Sequence, residues 1–238
     1  MDSKSIELFK EQLNIYGYSI TEQQFDIFLQ YYELLISWNE KINLTAITAF
    51  DEVLSKHFLD SLSIIKIIDL NNQSSLIDIG TGAGFPGIPL KIMYPHLKIT
   101  LLDSLQKRIL FLNTVIEQLH LDNIETIHGR AEDLAKPNQY REQYDICVSR
   151  AVSNLSSLSE LCLPFVKVGG YFIPYKSDKA QEEMQNAKKA IEILGGEIDR
   201  VETFSIEDNT RTLISIKKSI STPLKYPRKA GTPVKNPL

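Results

Sequence analysis

Residues 75–92, SLIDIGTGAGFPGIPLKI, constrain the fold of this chain more than any other stretch. An apolar run leads into Asp78, the chain turns through Gly80, Gly82, Gly84 and Gly87, and a segment of helical character follows. A strand that empties into a glycine-rich turn and then a helix is the nucleotide-holding element of open α/β sheets. The downstream sequence repeats that rhythm. Short apolar runs at SLIDIG, KITLLDS, NIETIHG, YDICVSR and GYFIPYK alternate with helical segments over about 86–93, 105–119, 131–135, 155–166 and 178–194. On the second of these helices Leu105, Ile109, Leu112, Ile116 and Leu119 form one apolar stripe. The alternation predicts a doubly wound parallel sheet with helices on both faces. At its end EIDRVETFSI, a short EDN turn and RTLISIKKS read as an antiparallel hairpin.

Residues 1–70 contain no strand-like alternation and read as an N-terminal helical cap. Thr21 and Gln24 make a capping-box pattern, followed at helical spacing by Phe25, Phe28, Leu29, Tyr32, Leu35 and Ile36. FDEVLSKHFLDSLSIIKII offers one or two further helices. Residues 71–220 then form the α/β domain, and 221–238 a basic tail kept extended by Pro223, Pro227, Pro233 and Pro237. The charge is unevenly spread. From Lys217 to Leu238 there are six basic residues and no acidic one, whereas 1–216 carry a net charge of −10. Such a tail is either a solvated terminus or a phosphate-seeking arm. With 238 residues, 43% of them hydrophobic and 24% charged, the composition is that of a soluble globular chain. The absence of a membrane-length apolar run or a signal-peptide core, and the presence of only two cysteines, imply a cytoplasmic protein with no membrane role.

The glycines at 82, 84 and 87 fit G-x-G-x-x-G, so a nicotinamide dinucleotide must be weighed. Pro86 counts against it, because pyrophosphate is bound by free N–H groups at a helix start and proline has none. S-adenosylmethionine has no phosphate; its sulfonium and amino acid tail call for close backbone approach and nearby oxygens. Asp78 either serves the amino group of that cofactor or bonds its own loop. Asp103, at the end of the second strand, is placed to take ribose hydroxyls. After the third strand, Ala131 and Glu132 in HGRAED either meet an adenine ring or open a short helix. Three acidic sites at three successive strand ends favour S-adenosylmethionine.

The acceptor site of such an enzyme lies after the fourth strand, in DICVSRAVSNLSSL. No Asn/Asp-Pro-Pro-Tyr/Phe tetrad for base amines is present. Cys147 and Cys162 fall within a strand and a helix and read as core thiols. The four histidines (His57, His96, His120 and His128) are scattered, which argues against a metal. An acceptor that needs no deprotonation remains, and guanine N7 is one. Arg150 can serve the acceptor, the cofactor's carboxylate or an ion pair. Lys107, Arg108 and the tail cations are candidate phosphate contacts, and Trp38 reads as helix packing.

The segments WNEKINLTAI, KHFLDSL, LIDIGTGAGFPGIPLKI, LLDSLQKRILFL, GRAED, VSRAV and YPRKAGTPVKNPL resemble those of the ribosomal RNA small-subunit methyltransferase G family, also called the glucose-inhibited division protein B family. The resemblance implies a Rossmann-like class I S-adenosylmethionine-dependent methyltransferase acting on N7 of a guanosine in 16S ribosomal RNA, free or in the small ribosomal subunit. It implies cofactor contacts from Gly80, Phe85, Ala131, Glu132 and Arg150, to which position adds Asp103. No catalytic side chain and no metal are expected, and nothing in the sequence demands more than a monomer.

Overall fold

The computed structural model describes residues 3–150 and 152–238. Its centre is a seven-stranded sheet in the order β3-β2-β1-β4-β5-β7-β6. The strands are β1 (Ser75–Ile79), β2 (Lys98–Asp103), β3 (Ile124–His128), β4 (Tyr144–Arg150), β5 (Val166–Lys176), β6 (Gly196–Ile206) and β7 (Asn209–Lys218). β1 pairs in parallel with β2 on one side and β4 on the other. The chain therefore runs outward from β1 to β3 and returns to place β4 beside β1. That reversal opens a crevice at their carboxyl ends, where such sheets hold ligands. The central strands are buried almost throughout because helices cover both faces, whereas edge strands β3 and β6 are largely open. β7 is antiparallel to β5 and β6, so the predicted terminal hairpin is present.

The helices are α1 (Ser3–Ile15), α2 (Glu22–Asn39), α3 (Phe50–Glu52), α4 (Asp60–Leu62), α5 (Gly87–Met93), α6 (Gln106–Gln118), α7 (Ala131–Leu134), α8 (Leu155–Cys162), α9 (Ala180–Ile193) and α10 (Thr232–Lys235). Among the described residues no helix is long and apolar enough to cross a membrane. The capping box at Thr21 and Gln24 forms in both directions. Two stripes differ from expectation. In α2 the buried residues are Phe25, Phe28, Tyr31 and Leu35, with Tyr31 replacing Tyr32, because the Tyr31 hydroxyl finds a buried acceptor in the Ala83 carbonyl. In α6 burial falls on Ile109, Phe111, Leu112 and Val115 while Leu105 is exposed. Trp38 packs against Phe111, with ring centroids 5.7 Å apart. Cys147 and Cys162 are both fully buried, as core thiols should be.

Residues 50–62 make one helical run, with a π-helical turn at Val53–Leu59 between α3 and α4. Its Phe58 is the hub of the cap's core. The Phe58 ring lies 4.9 Å from that of Phe28, 5.4 Å from Tyr31 and 6.1 Å from Phe85, which belongs to the glycine loop. Cap and sheet thus share one apolar core.

The tail is not a free arm. Residues 222–238 fold back over α8, whose every residue is buried. Arg228 grips both carboxylate oxygens of the fully buried Glu160, at 2.9 Å and 2.6 Å. Lys218 is buried too and pairs with Glu142 at 3.2 Å. Two of the six cations counted from the sequence are therefore used internally.

Replacing Phe58 by Ala should cost about 3–5 kcal/mol, the usual loss for a fully buried aromatic. Phe58→Leu should cost less than half as much, and urea unfolding followed by fluorescence measures both.

Candidate functional site

The site lies at the carboxyl ends of β1 to β4, and its base is the glycine loop. Gly80, Gly82 and Gly84 have φ of +70°, +63° and +96°, a region that only glycine adopts readily. A side chain at Gly80 would collide with Val152, and one at Gly87 with Leu101, so the loop is pressed between the segment after β4 and the sheet. With this curl the backbone satisfies itself. The N–H groups of Gly80 and Thr81 donate to Leu102 O, at 2.8 and 3.1 Å, and those of Gly84 and Phe85 to Thr81 O, each at 3.0 Å. Gly82 N–H donates to Asp103 Oδ2 and Gly87 N–H to Asp78 Oδ2, both at 2.9 Å. Pro86 has no donor.

Six backbone donors that a pyrophosphate would need are therefore already engaged. The loop instead covers a buried carboxylate. Asp78 is completely buried beneath it, with Oδ2 accepting from the Thr81 hydroxyl at 2.7 Å and from Gly87 N–H, while Oδ1 is buried without a partner. Burial pushes the Asp78 carboxyl from its ordinary 3.8 up to about 6, against the lowering effect of those two hydrogen bonds. Of the two roles weighed for Asp78, loop bonding is realised, and one oxygen is left over. A cationic ligand that carries no phosphate fits such a donor and acceptor set; a dinucleotide does not.

Each candidate residue can now be located. Gly80 follows β1 directly and lies against Val152. Asp103 ends β2, almost wholly buried; its Oδ1 accepts from Leu105 N–H at 2.9 Å and its Oδ2 from Gly82 N–H and Arg108 Nη1, the latter at 3.1 Å. Arg108 thus turns inward to Asp103 and is not a free phosphate contact, while Lys107 stays exposed. Ala131 and Glu132 open α7, just beyond β3, and both are buried. Glu132 Oε1 accepts from Gly231 N–H of the folded tail at 2.7 Å. Phe85 is buried in the cap core, and the Arg150 guanidinium lies over its ring, 5.1 Å from the centroid.

Arg150 ends β4 as a clamp between sheet and cap. Its Nη1 donates to Asp60 Oδ2 at 2.8 Å and lies 3.4 Å from the carbonyls of Lys56 and His57 in the π-helical turn. The other Asp60 oxygen accepts from Arg211 Nε at 3.0 Å. His57 stacks on Phe85 at 4.5 Å, and its Nδ1 faces Arg150 Nη2 at 3.3 Å. Since arginine only donates, the His57 proton sits on Nε2, where it meets Thr45 Oγ1 at 2.8 Å. Burial and the Arg150 charge lower the His57 pKa to about 3. Of the roles weighed for Arg150, the ion pair forms, with Asp60. Its partners His57 and Asp60 were not picked out from sequence, although Lys56, His57, Asp60 and Ser61 recur at helical spacing within an apolar segment.

Beside this clamp opens a cleft of about 520 Å³, lined by Lys56, Arg150, Lys176 and Arg211, with Asp60, Glu183 and Val152 among its other walls. Its four cations are all ion-paired: Lys56 with Glu52, Lys176 with Glu183 at 2.7 Å, and Arg150 and Arg211 with the one carboxylate of Asp60, which leaves one more cation than carboxylates. Val152 lines the cleft and also lies against Gly80, so the cleft adjoins the glycine loop.

Asp78 generates a pH prediction. Its pKa is raised on folding, so its contribution is fully favourable below about pH 4 and is lost as pH rises through about 6. Asp78→Asn should therefore match the wild type near pH 4 and exceed it by roughly 2–3 kcal/mol above pH 7, since each shifted unit is about 1.4 kcal/mol. The His57 contribution has the opposite slope but is common to both proteins, so the difference between their unfolding curves isolates Asp78.

The family model described as rRNA small subunit methyltransferase G matches residues 24–214. A ribosomal RNA small subunit methyltransferase G of Lachnoclostridium phytofermentans is 55% identical over 232 residues, which cover 97% of this chain and 96% of that protein. Among solved structures, a SAM-dependent methyltransferase from Aquifex aeolicus aligns with a TM-score of 0.52 and 17% identity, over 69% of this chain and 92% of its own. The [4+2]-cyclase SpnF aligns with a TM-score of 0.58 and 13% identity, over 81% of this chain and 95% of its own. These two likenesses concern the fold, which is the Rossmann-like class I methyltransferase arrangement. The chain belongs to the rRNA small subunit methyltransferase G family.

Proposed function

We propose that this protein transfers a methyl group from S-adenosylmethionine to N7 of a guanosine in 16S ribosomal RNA. The observation that carries the reading is the glycine loop, whose donors are consumed internally and whose spare capacity is a buried carboxylate oxygen. Family membership supports the same cofactor and an RNA substrate. When bound, S-adenosylmethionine supplies an activated methyl group to an acceptor lone pair, and neutral guanine N7 has one.

The chain's own residues then have three tasks. The first is to bind the cofactor. Asp78 lies under the loop, where the cofactor's positive charge offsets the cost of its buried, half-satisfied carboxylate. Asp103 takes a ribose hydroxyl: a carboxylate offers about four acceptor positions, and three are filled by Leu105, Gly82 and Arg108. Gly80, Phe85 and Arg150 shape the loop on one side, and Ala131 with Glu132 close the adenine side.

The second task is to admit the acceptor. The N7 edge of a paired guanine faces the deep, narrow major groove of A-form RNA, so the target base must be unpaired or splayed out. The cationic cleft beside Val152 receives it, with Lys56, Lys176 and Arg211 holding the phosphates that flank it. The third task is alignment, since no proton has to be removed from N7 and positioning supplies the rate.

Small ribosomal subunits from cells lacking this activity, incubated with the protein and labelled cofactor, should yield N7-methylguanosine at a single position on nucleoside mass spectrometry. Label on another base, or in protein alone, would contradict the reading. Lys56→Ala and Lys176→Ala should lower transfer by about tenfold or more while cofactor affinity changes little, with the loss shrinking at higher salt because each lost phosphate contact reduces the salt slope. Asp103→Ala should weaken cofactor binding measured by calorimetry, and unchanged affinity would remove Asp103 from the ribose site.

A further inference from the structure

We propose that the folded C-terminal strap, residues 222–238, is a positioning element of the cofactor site, acting through α7 and the start of α8. This rests on the assignment of the glycine-loop site to S-adenosylmethionine. α7 has only four residues, too few to stand as a helix on its own backbone bonds. The strap holds it at both ends. At its start, Glu132 Oε1 accepts from Gly231 N–H at 2.7 Å. At its end, the Arg141 guanidinium donates to Ala135 O at 3.0 Å and, with the same fork, to the strap carbonyls of Thr222, Pro223 and Tyr226. One side chain therefore ties the close of α7 to the strap.

The strap also fixes α8, which follows the segment from β4 that covers Gly80. The Ser157 hydroxyl donates to Pro233 O at 2.7 Å and the Ser156 hydroxyl to Leu238 O at 2.9 Å. Arg228 donates from its backbone N–H and its guanidinium to Glu160, a carboxylate with no exposure. Breaking that pair leaves a buried charge alone. These bonds join residues 68 to 99 positions apart in the chain, and they lace the loops after β3 and β4, which flank the cofactor, into one unit. Glu132 is thereby a positioning residue: its Oε1 is committed to holding the loop in place.

Coupling of this kind is reciprocal. In the full-length wild-type protein, saturating S-adenosylmethionine should slow hydrogen exchange at the Gly231 amide and at the amides of 132–135. Arg228→Ala, studied at a temperature where circular dichroism shows it folded, should raise the dissociation constant for S-adenosylmethionine by about tenfold, within the usual range of coupling between sites. Arg228→Lys, which keeps a cation on Glu160, should recover most of that loss. A purely structural strap would lower the melting temperature of Arg228→Ala without moving the dissociation constant. The proposal is overturned if the folded variant binds the cofactor within twofold of wild type, or if the cofactor leaves Gly231 exchange unchanged. Failure of the wild type to bind S-adenosylmethionine at all would instead bring down the cofactor assignment, and this inference with it.

Discussion

A glycine loop that satisfies its own backbone is the constraint on which the site depends. Its positive φ angles turn the N–H groups back onto Leu102, Thr81, Asp78 and Asp103, leaving the cofactor a surface defined by oxygen and by shape. The arrangement is costly in one place. Asp78 is buried with half of its hydrogen-bonding capacity unused, and desolvation holds its pKa near 6. The loop keeps this conformation because Phe85 is anchored in an aromatic core contributed by the cap, and because the Tyr31 hydroxyl holds Ala83.

The same logic explains why the cap and the sheet behave as one body. Arg150, at the last residue of β4, reaches the Lys56 and His57 carbonyls of the π-helical turn, the carboxylate of Asp60 and the face of Phe85. Asp60 in turn is shared with Arg211 from the terminal hairpin. Three parts of the chain meet at one buried carboxylate, and removing any one partner leaves the others with unmatched charge. π-helical turns are frequent at functional sites, and here the Lys56 and His57 carbonyls of the turn face Arg150.

Much of the fold was legible in the sequence. β1, β2 and β4 are buried on both faces and therefore read as short, largely apolar runs, identified as strands by their length and the turn residues that bound them. Asp103 followed from its position at the end of β2, whereas Gly80, Phe85, Ala131, Glu132 and Arg150 came from the family resemblance. Finer features were not legible, for identifiable reasons. The choice of Tyr31 over Tyr32 depends on an acceptor 52 residues away. The π-helical turn has no sequence period of its own. The strap is fixed mainly by backbone groups meeting Arg141, Glu132, Ser157 and Glu160, so its prolines and lysines suggested an extended arm when the informative residues lay elsewhere. Arg108 reads as a phosphate contact from sequence because its pairing with Asp103 depends on the fold of the glycine loop.

The central claim is that this pocket accepts a phosphate-free cation in preference to a dinucleotide. Calorimetric titration of the full-length chain with S-adenosylmethionine, and separately with NAD, tests it most directly. The account predicts saturable binding of one S-adenosylmethionine per chain and no detectable heat with NAD. Binding of NAD at comparable affinity, displaced by S-adenosylmethionine, would contradict it.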